Sequence, residues 1–117
     1  MKRGDVVLIK FPYTDLSSTK VRPALVVSSD SYTQLSADAI FVAISSNLTK
    51  PQPFDVEINP TNHEFSATGL KAPALIKADK IARLSKSLAS RHLGQAGPNT
   101  MTKVDSVISD VLGLVKV

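Results

Sequence analysis

Two places in this chain carry side chains suited to gripping a phosphate: Arg22, and the hydroxyl pair Ser45 and Ser46. Arg22 lies in KVRPALVVS, residues 20–28, directly before Pro23 and an apolar run. Proline lacks an N–H and belongs at the first residue or edge of a strand. It also pushes the preceding residue towards extended geometry. Arg22 is therefore expected at the rim of a rigid strand, with its planar fork of donors free for a phosphate or carboxylate. A rim ion pair with a nearby carboxylate is the plainer role for the same side chain. Ser45, Ser46 and Asn47 close a second apolar stretch, so that strand ends in hydroxyls and an amide. Were the two strand ends neighbours in a small barrel, a cationic fork and an alcohol would share one rim.

Other catalytic signatures are missing. The chain has no Ser-His-Asp set with supporting glycines, no phosphate loop and no HExxH. Two histidines, His63 and His92, with no cysteine argue against a zinc site, and no cofactor is expected. His63 stands in a loop and reads as solvated. Chemistry whose nucleophile arrives with the substrate remains open. Cleavage of RNA by its own 2′-hydroxyl is such a reaction: the protein mainly positions the backbone and stabilises charge on phosphorus. Single-stranded RNA, with its bases splayed, is the form small proteins read most readily.

The elements that must hold these residues follow from pattern. Val6 to Phe11 is an apolar run of strand formers. Residues 12–20, PYTDLSSTK, form a polar loop rich in hydroxyls that delivers the chain to Arg22, and such a loop suits either ligand contact or a plain hairpin connection. Arg22 to Ser29 is the second strand. Asp30 to Asp38 reads as a long polar connection. Ala39 to Ser45 is a third strand, apolar enough to be buried on both faces. Phe54 to Ile58 alternates apolar and acidic residues, as a half-exposed strand should. Asn59 to Lys71 is a connection. ALIKADKIARL, residues 74–84, fits neither the helical nor the strand template cleanly. Arg91 to Ala96 suits a short edge strand before the turn at Gly97 and Pro98. Val104, Val107, Ile108, Val111, Leu112 and Val115 recur by three and four, the stripe of an amphipathic helix. Asn99 or a nearby threonine is the expected cap, and Gly113 the expected end. Short strands followed by one helix predict a mainly β barrel with the C-terminal helix packed against it.

At 117 residues the chain is expected to be one domain, 1–117, with an ordinary apolar content of 43%. Its formal charge of +4 leans towards an anionic partner. Residues 71–91 hold six bases, Lys71, Lys77, Lys80, Arg83, Lys86 and Arg91, against the single acid Asp79. Solvated strand faces explain that run about as well as a nucleic-acid groove does. The N-terminal apolar stretch is broken by Lys10 and is too short for a signal peptide or membrane span. The absence of cysteine suits a cytoplasmic location.

The opening RGDVVLIKFPYTDLSSTKVRPALVVSSD, with AISSN at 43–47, PFDV at 53–56 and KADKIARL at 77–84, resembles the MazF/PemK/Kid family of type II toxin–antitoxin systems. The motifs fall in the family's order over essentially the whole chain, and they favour a strand for 74–82. The resemblance implies a small SH3-like barrel of the CcdB/Kid type. It implies a metal-independent, sequence-specific endoribonuclease acting on mRNA, with 2′,3′-cyclic phosphate and 5′-hydroxyl products. It also implies a homodimer with RNA in a groove at its interface, and a cognate antitoxin whose acidic tail fills that groove. By position, the catalytic arginine is Arg22 and the catalytic threonine falls on Ser45. The RNA-binding set implied is Ser17, Ser18, Thr19, Lys20, Ser46, Asn47 and Asp79. Two departures stand out. Ser45 keeps the hydroxyl of threonine but loses its methyl, and the loop before Arg22 offers Asp15, Ser17 and Ser18 where some relatives carry a glutamate. A catalytically weakened RNA-binding relative is one alternative. A gyrase-binding toxin of the same fold is another, although residues 99–117 lack the exposed aromatic such toxins use.

Overall fold

The computed structural model of the chain describes residues 1–12 and 21–114. Six strands form one antiparallel sheet: β1 (Asp5–Lys10), β2 (Val21–Val26), β3 (Asp38–Ser45), β4 (Asp55–Ile58), β5 (Ala74–Ser85) and β6 (Ala89–Gln95). Their order is β4-β5-β3-β2-β1-β6. Two helices, α1 (Asp30–Leu35) and α2 (Pro98–Leu112), complete the fold with two short 3-10 turns. The mainly β architecture with a docked C-terminal helix is the one expected. The barrel is an open one, because β4 and β6 end the strand order and no pairing joins them among the described residues. None of the described helices is long and apolar enough to cross a membrane.

The central strands read as continuous apolar runs because both faces of the sheet are covered. On one face, Val6, Leu25, Val42, Ile44, Val56 and Ile76 pack under α2, which contributes Val104, Met101, Val107 and Ile108. On the other, Val7, Ile9, Phe11, Ala24, Val26, Phe41 and Ala43 form a second cluster around the fully buried Phe41. Alternation along each strand sends successive side chains to opposite cores. The segment 74–84, ambiguous on propensity, is the longest strand, as the family resemblance favoured. It carries a bulge: Ala43 pairs with Lys77, while the preceding Val42 pairs with Ile81. The extra residues Ala78, Asp79 and Lys80 bend β5 there.

Three local expectations are corrected. The polar stretch after β2 contains a helical turn, α1, rather than a plain connection. Ser29 caps it, accepting the Tyr32 N–H at 3.1 Å, and that Ser-x-x pattern was the missed signal. Helix α2 is capped by neither Asn99 nor a threonine. It begins at Gly97 with Pro98 in its first turn, and the orphaned N–H groups of Asn99 and Thr100 go to Glu64, far back in sequence. The apolar stripe of α2 also stops short. Val104 is buried but Leu112 is more than half exposed, and Val115 lies outside the described residues. Gly113 ends the helix as expected, with φ of 69° in the left-handed region.

Candidate active site

Arg22 is the second residue of β2 and pairs with Ile9 of β1. Across the other edge of β2, Ala24 pairs with Ala43, Leu25 with Val42 and Val26 with Phe41. The ladder fades at Pro23, which has no N–H to give. Arg22 stands two residues beyond the last pair on β2, and Ser45 two residues beyond it on β3, where β3 ends. The even step keeps both on the face of the second core, in line with Ala24 and Ala43. The guanidinium carrier and the alcohol carrier thus leave the β2–β3 ladder at the same end.

The two side chains differ in setting. Arg22 is exposed, and among the described residues its guanidinium is matched with no carboxylate. The rim ion pair is not seen there. Ser45 is half-buried, and its Oγ accepts the N–H of Asn47 at 3.1 Å. Accepting leaves its own O–H to donate. Asn47 in turn accepts the N–H and hydroxyl of Thr49 at 3.1 and 2.7 Å. Such local side-chain bonds hold the end of β3 in a defined turn. They leave Ser46 and Asn47 exposed just beyond the rim.

A further pair flanks Ser45 from the opposite side. Lys77 of β5 lies opposite Ala43, and Leu75 lies opposite Ser45, so Lys77 is the diagonal neighbour of Ser45 on the same face. Its Nζ is 2.8 Å from Asp55 Oδ2, directly across on β4. Asp55 Oδ2 also accepts the Gln52 N–H at 2.7 Å. The side chains are 15% and 2% exposed, and Asp55 Oδ1 is, among the described residues, the buried side-chain atom left without a partner. Sequence reasoning counted Lys77 among bases of a solvated or basic face and gave Asp55 no role. Their alternation was visible in FDVEI and ALIKA, but only the β4–β5 register joins them.

The remaining expected site residues fall apart from this group. Asp79 is exposed in the β5 bulge, four residues along the strand from Leu75, and is not beside Ser45. Ser17, Ser18, Thr19 and Lys20 lie outside the described residues. His63 is exposed on an open depression of ≈ 670 Å³ between the start of α2 and the loop after β4, lined also by Asn62, Asn99 and Lys103. Neither Arg22 nor Ser45 lines it. His92 stands 3.4 Å from Asp5 at the β6 edge. Among the described residues no cluster of three His, Asp or Glu offers a metal site. The Thr100 hydroxyl, and then the Asn99 and Thr100 N–H groups and nearby His63, hold the Glu64 carboxyl below the ordinary value of 4.5, against the upward pull of burial. That carboxylate stabilises α2 and lies away from the rim.

A family model described as a PemK-like, MazF-like toxin of type II toxin–antitoxin systems matches residues 2–112. No curated protein matches the chain significantly in sequence. Among solved structures, an endoribonuclease in complex with its cognate antitoxin from a mycobacterial species is similar at TM-score 0.77 and 25% identity, over 100% of this chain and 99% of that one. An endoribonuclease from a mycobacterial species is similar at TM-score 0.75 and 26% identity, over 100% and 95%. MazF from Deinococcus radiodurans shares the fold, with TM-score 0.76 and 23% identity over 97% of each chain.

Proposed function

This chain belongs to the PemK-like, MazF-like toxin family of type II toxin–antitoxin systems, and we propose that it is an endoribonuclease that cuts single-stranded mRNA at the Arg22–Ser45 rim. The observation that supports the reading is that Arg22, exposed and with no carboxylate partner among the described residues, and the half-buried Ser45 each lie two residues beyond the same end of the β2–β3 ladder. Two solved structures of similar sequence being endoribonucleases supports it.

In this mechanism the 2′-oxygen of the substrate attacks the adjacent phosphorus, and the bond from phosphorus to the 5′-oxygen breaks. The 2′-hydroxyl loses its proton and the departing 5′-oxygen gains one. The products are a 2′,3′-cyclic phosphate and a 5′-hydroxyl, with no water consumed. Arg22 spans two phosphoryl oxygens with its fork of donors and offsets the charge that grows in the phosphorane. Ser45 donates its O–H to a phosphoryl oxygen while the Asn47 N–H fixes its orientation. Because the substrate supplies the nucleophile, the scheme needs no metal. Ser46, Asn47 and the segment Ser17 to Lys20 contact flanking nucleotides, and Asp79 contacts RNA further along β5.

The proposal extends to partners. The protein acts as a homodimer in the cytoplasm and is neutralised by a cognate antitoxin whose acidic tail competes with RNA for the cationic rim. The similarity to an endoribonuclease in complex with its antitoxin supports that reading. The test is direct: purified protein is incubated with a long RNA in the presence of EDTA. Cleavage to cyclic-phosphate ends by the wild type and none by Arg22→Ala is expected. Intact RNA with the wild type, or equal cutting by both proteins, overturns the proposal.

A further inference from the structure

Ser45 has a cation carrier on each side. On the β2 side, Arg22 lies two residues beyond the same ladder end as Ser45, and β5 brings Lys77 to the diagonal of Ser45 on the same face. The two bases differ in how they are held. Arg22 is exposed and has no carboxylate partner among the described residues, whereas Lys77 is mostly buried and tied to Asp55. We infer that Lys77 is a second phosphate-directed cation of the Ser45 rim, and that Asp55 is the positioning residue that aims it. The inference rests on the reading of this rim as an RNA site, and it adds a residue to that site.

Three observations carry it. An ammonium has three donors, and among the described residues Lys77 Nζ gives one of them, to Asp55. The others remain for a ligand, and the side chain keeps 15% exposure through which a phosphate oxygen can reach it. Second, the pair is poorly explained by stability. A buried ion pair is commonly replaceable by apolar residues without loss, and this one leaves Asp55 Oδ1 without a partner among the described residues at 2% exposure. Unsatisfied buried polar groups are rare and mark sites where another demand prevails. Third, Asp55 is itself anchored. Its Oδ2 takes the Gln52 N–H at 2.7 Å, so the carboxylate that holds the ammonium is fixed by the turn entering β4. A phosphodiester lying over Ser45 would then meet Arg22 from one side and Lys77 from the other.

The test uses the full chain and an RNA oligonucleotide carrying 2′-O-methyl groups, which cannot be cut because its nucleophile is blocked. Affinity is measured at stepped salt. Each single-strand phosphate contact contributes about 0.7 to the slope of log affinity against log salt. Lys77→Met is expected to flatten that slope by about 0.7 relative to wild type, and Lys77→Arg to restore it. Lys77→Gln is the second neutral variant should Lys77→Met fold poorly. Asp55→Asn leaves the lysine charge in place, so its slope is expected to match wild type while its affinity at fixed salt falls severalfold. A merely structural pair would lower both slopes together or neither. Equal slopes for wild type and the neutral variants, or no binding by wild type, overturn the role of Lys77. Equal affinity for wild type and Asp55→Asn overturns the positioning role. A wild-type protein that binds with the steeper slope yet never cuts ordinary RNA defeats the nuclease reading and leaves this inference standing.

Discussion

Glu64 and Thr100 are joined twice: one carboxylate oxygen accepts both the N–H of Thr100 at 2.8 Å and its hydroxyl at 2.7 Å. The other oxygen accepts the Asn99 N–H at 3.0 Å. A side chain from the loop after β4 thereby supplies the start of α2 with the acceptors its own cap residue, Gly97, lacks. The negative charge also suits the positive end of the helix.

This junction makes stability depend on acid. The folded pKa of Glu64 lies below its ordinary 4.5, chiefly through the Thr100 hydroxyl. The unfolded chain therefore binds the proton more readily, and the stabilisation is complete above 4.5 and fades as pH falls through the folded value. Thermal melts between pH 7 and pH 3 are expected to show a loss for wild type at the acid end. In Glu64→Gln the Glu64 share of that acid dependence disappears, and its melting temperature at pH 7 is lower.

Gly97 makes the junction possible. A Cβ placed there would lie 2.3 Å from Glu64 Cδ. Overpacking of this kind costs about 1–3 kcal/mol. Gly97→Ala is expected to lose that much in denaturant unfolding. The same substitution in a Glu64→Ala background should cost far less, because the clashing atoms are gone, and the double-mutant cycle measures the coupling.

At the rim, Arg22→Lys keeps the charge and loses the fork. Cleavage is expected to fall about 10²–10³-fold, the scale of losing one preorganised donor to a transition-state oxyanion. The melting temperature should hardly change, since substitutions at exposed positions shift stability by about 0.5 kcal/mol or less. Single-turnover cleavage beside a thermal melt checks both halves.

Ser45 separates hydroxyl from shape. Ser45→Ala removes a hydrogen bond to a charged group, worth about 1.5–3 kcal/mol, or about 10- to 100-fold in kcat. Ser45→Thr is expected to retain or raise activity, because the added methyl narrows χ1 and holds the hydroxyl in place. Loss of activity in the threonine variant would show that the half-buried pocket around Ser45 has no space for the methyl.

The two ends of α2 should respond differently. Val104→Ala empties a fully buried position and is expected to cost about 2 kcal/mol. Leu112→Ala, at 56% exposure, should cost about 0.5 kcal/mol or less. Equal losses in chemical denaturation would mean that Leu112 is covered in solution.

Much of the fold was legible in the chain. Apolar runs bounded by turn residues marked β1 to β3, alternation marked β4, and steps of three and four marked α2, because burial writes its period into sequence. Pro23 marked the end of one ladder and not of the strand: β2 goes on pairing with β1 through Arg22 and Val21, but a residue without an N–H cannot continue the β2–β3 ladder. The types of side chain at the rim, a fork and a hydroxyl, were equally readable. Sequence could not say that they leave the β2–β3 ladder at the same end. That follows from the register of β2 on β3, set by how Ala24 and Ala43, and Val26 and Phe41, share one core. Lys77 and Asp55 are 22 residues apart, and Glu64 and Thr100 are 36 apart. Each pair exists only once strands and loops are packed, because a local pattern records which face a side chain takes and never what stands across from it.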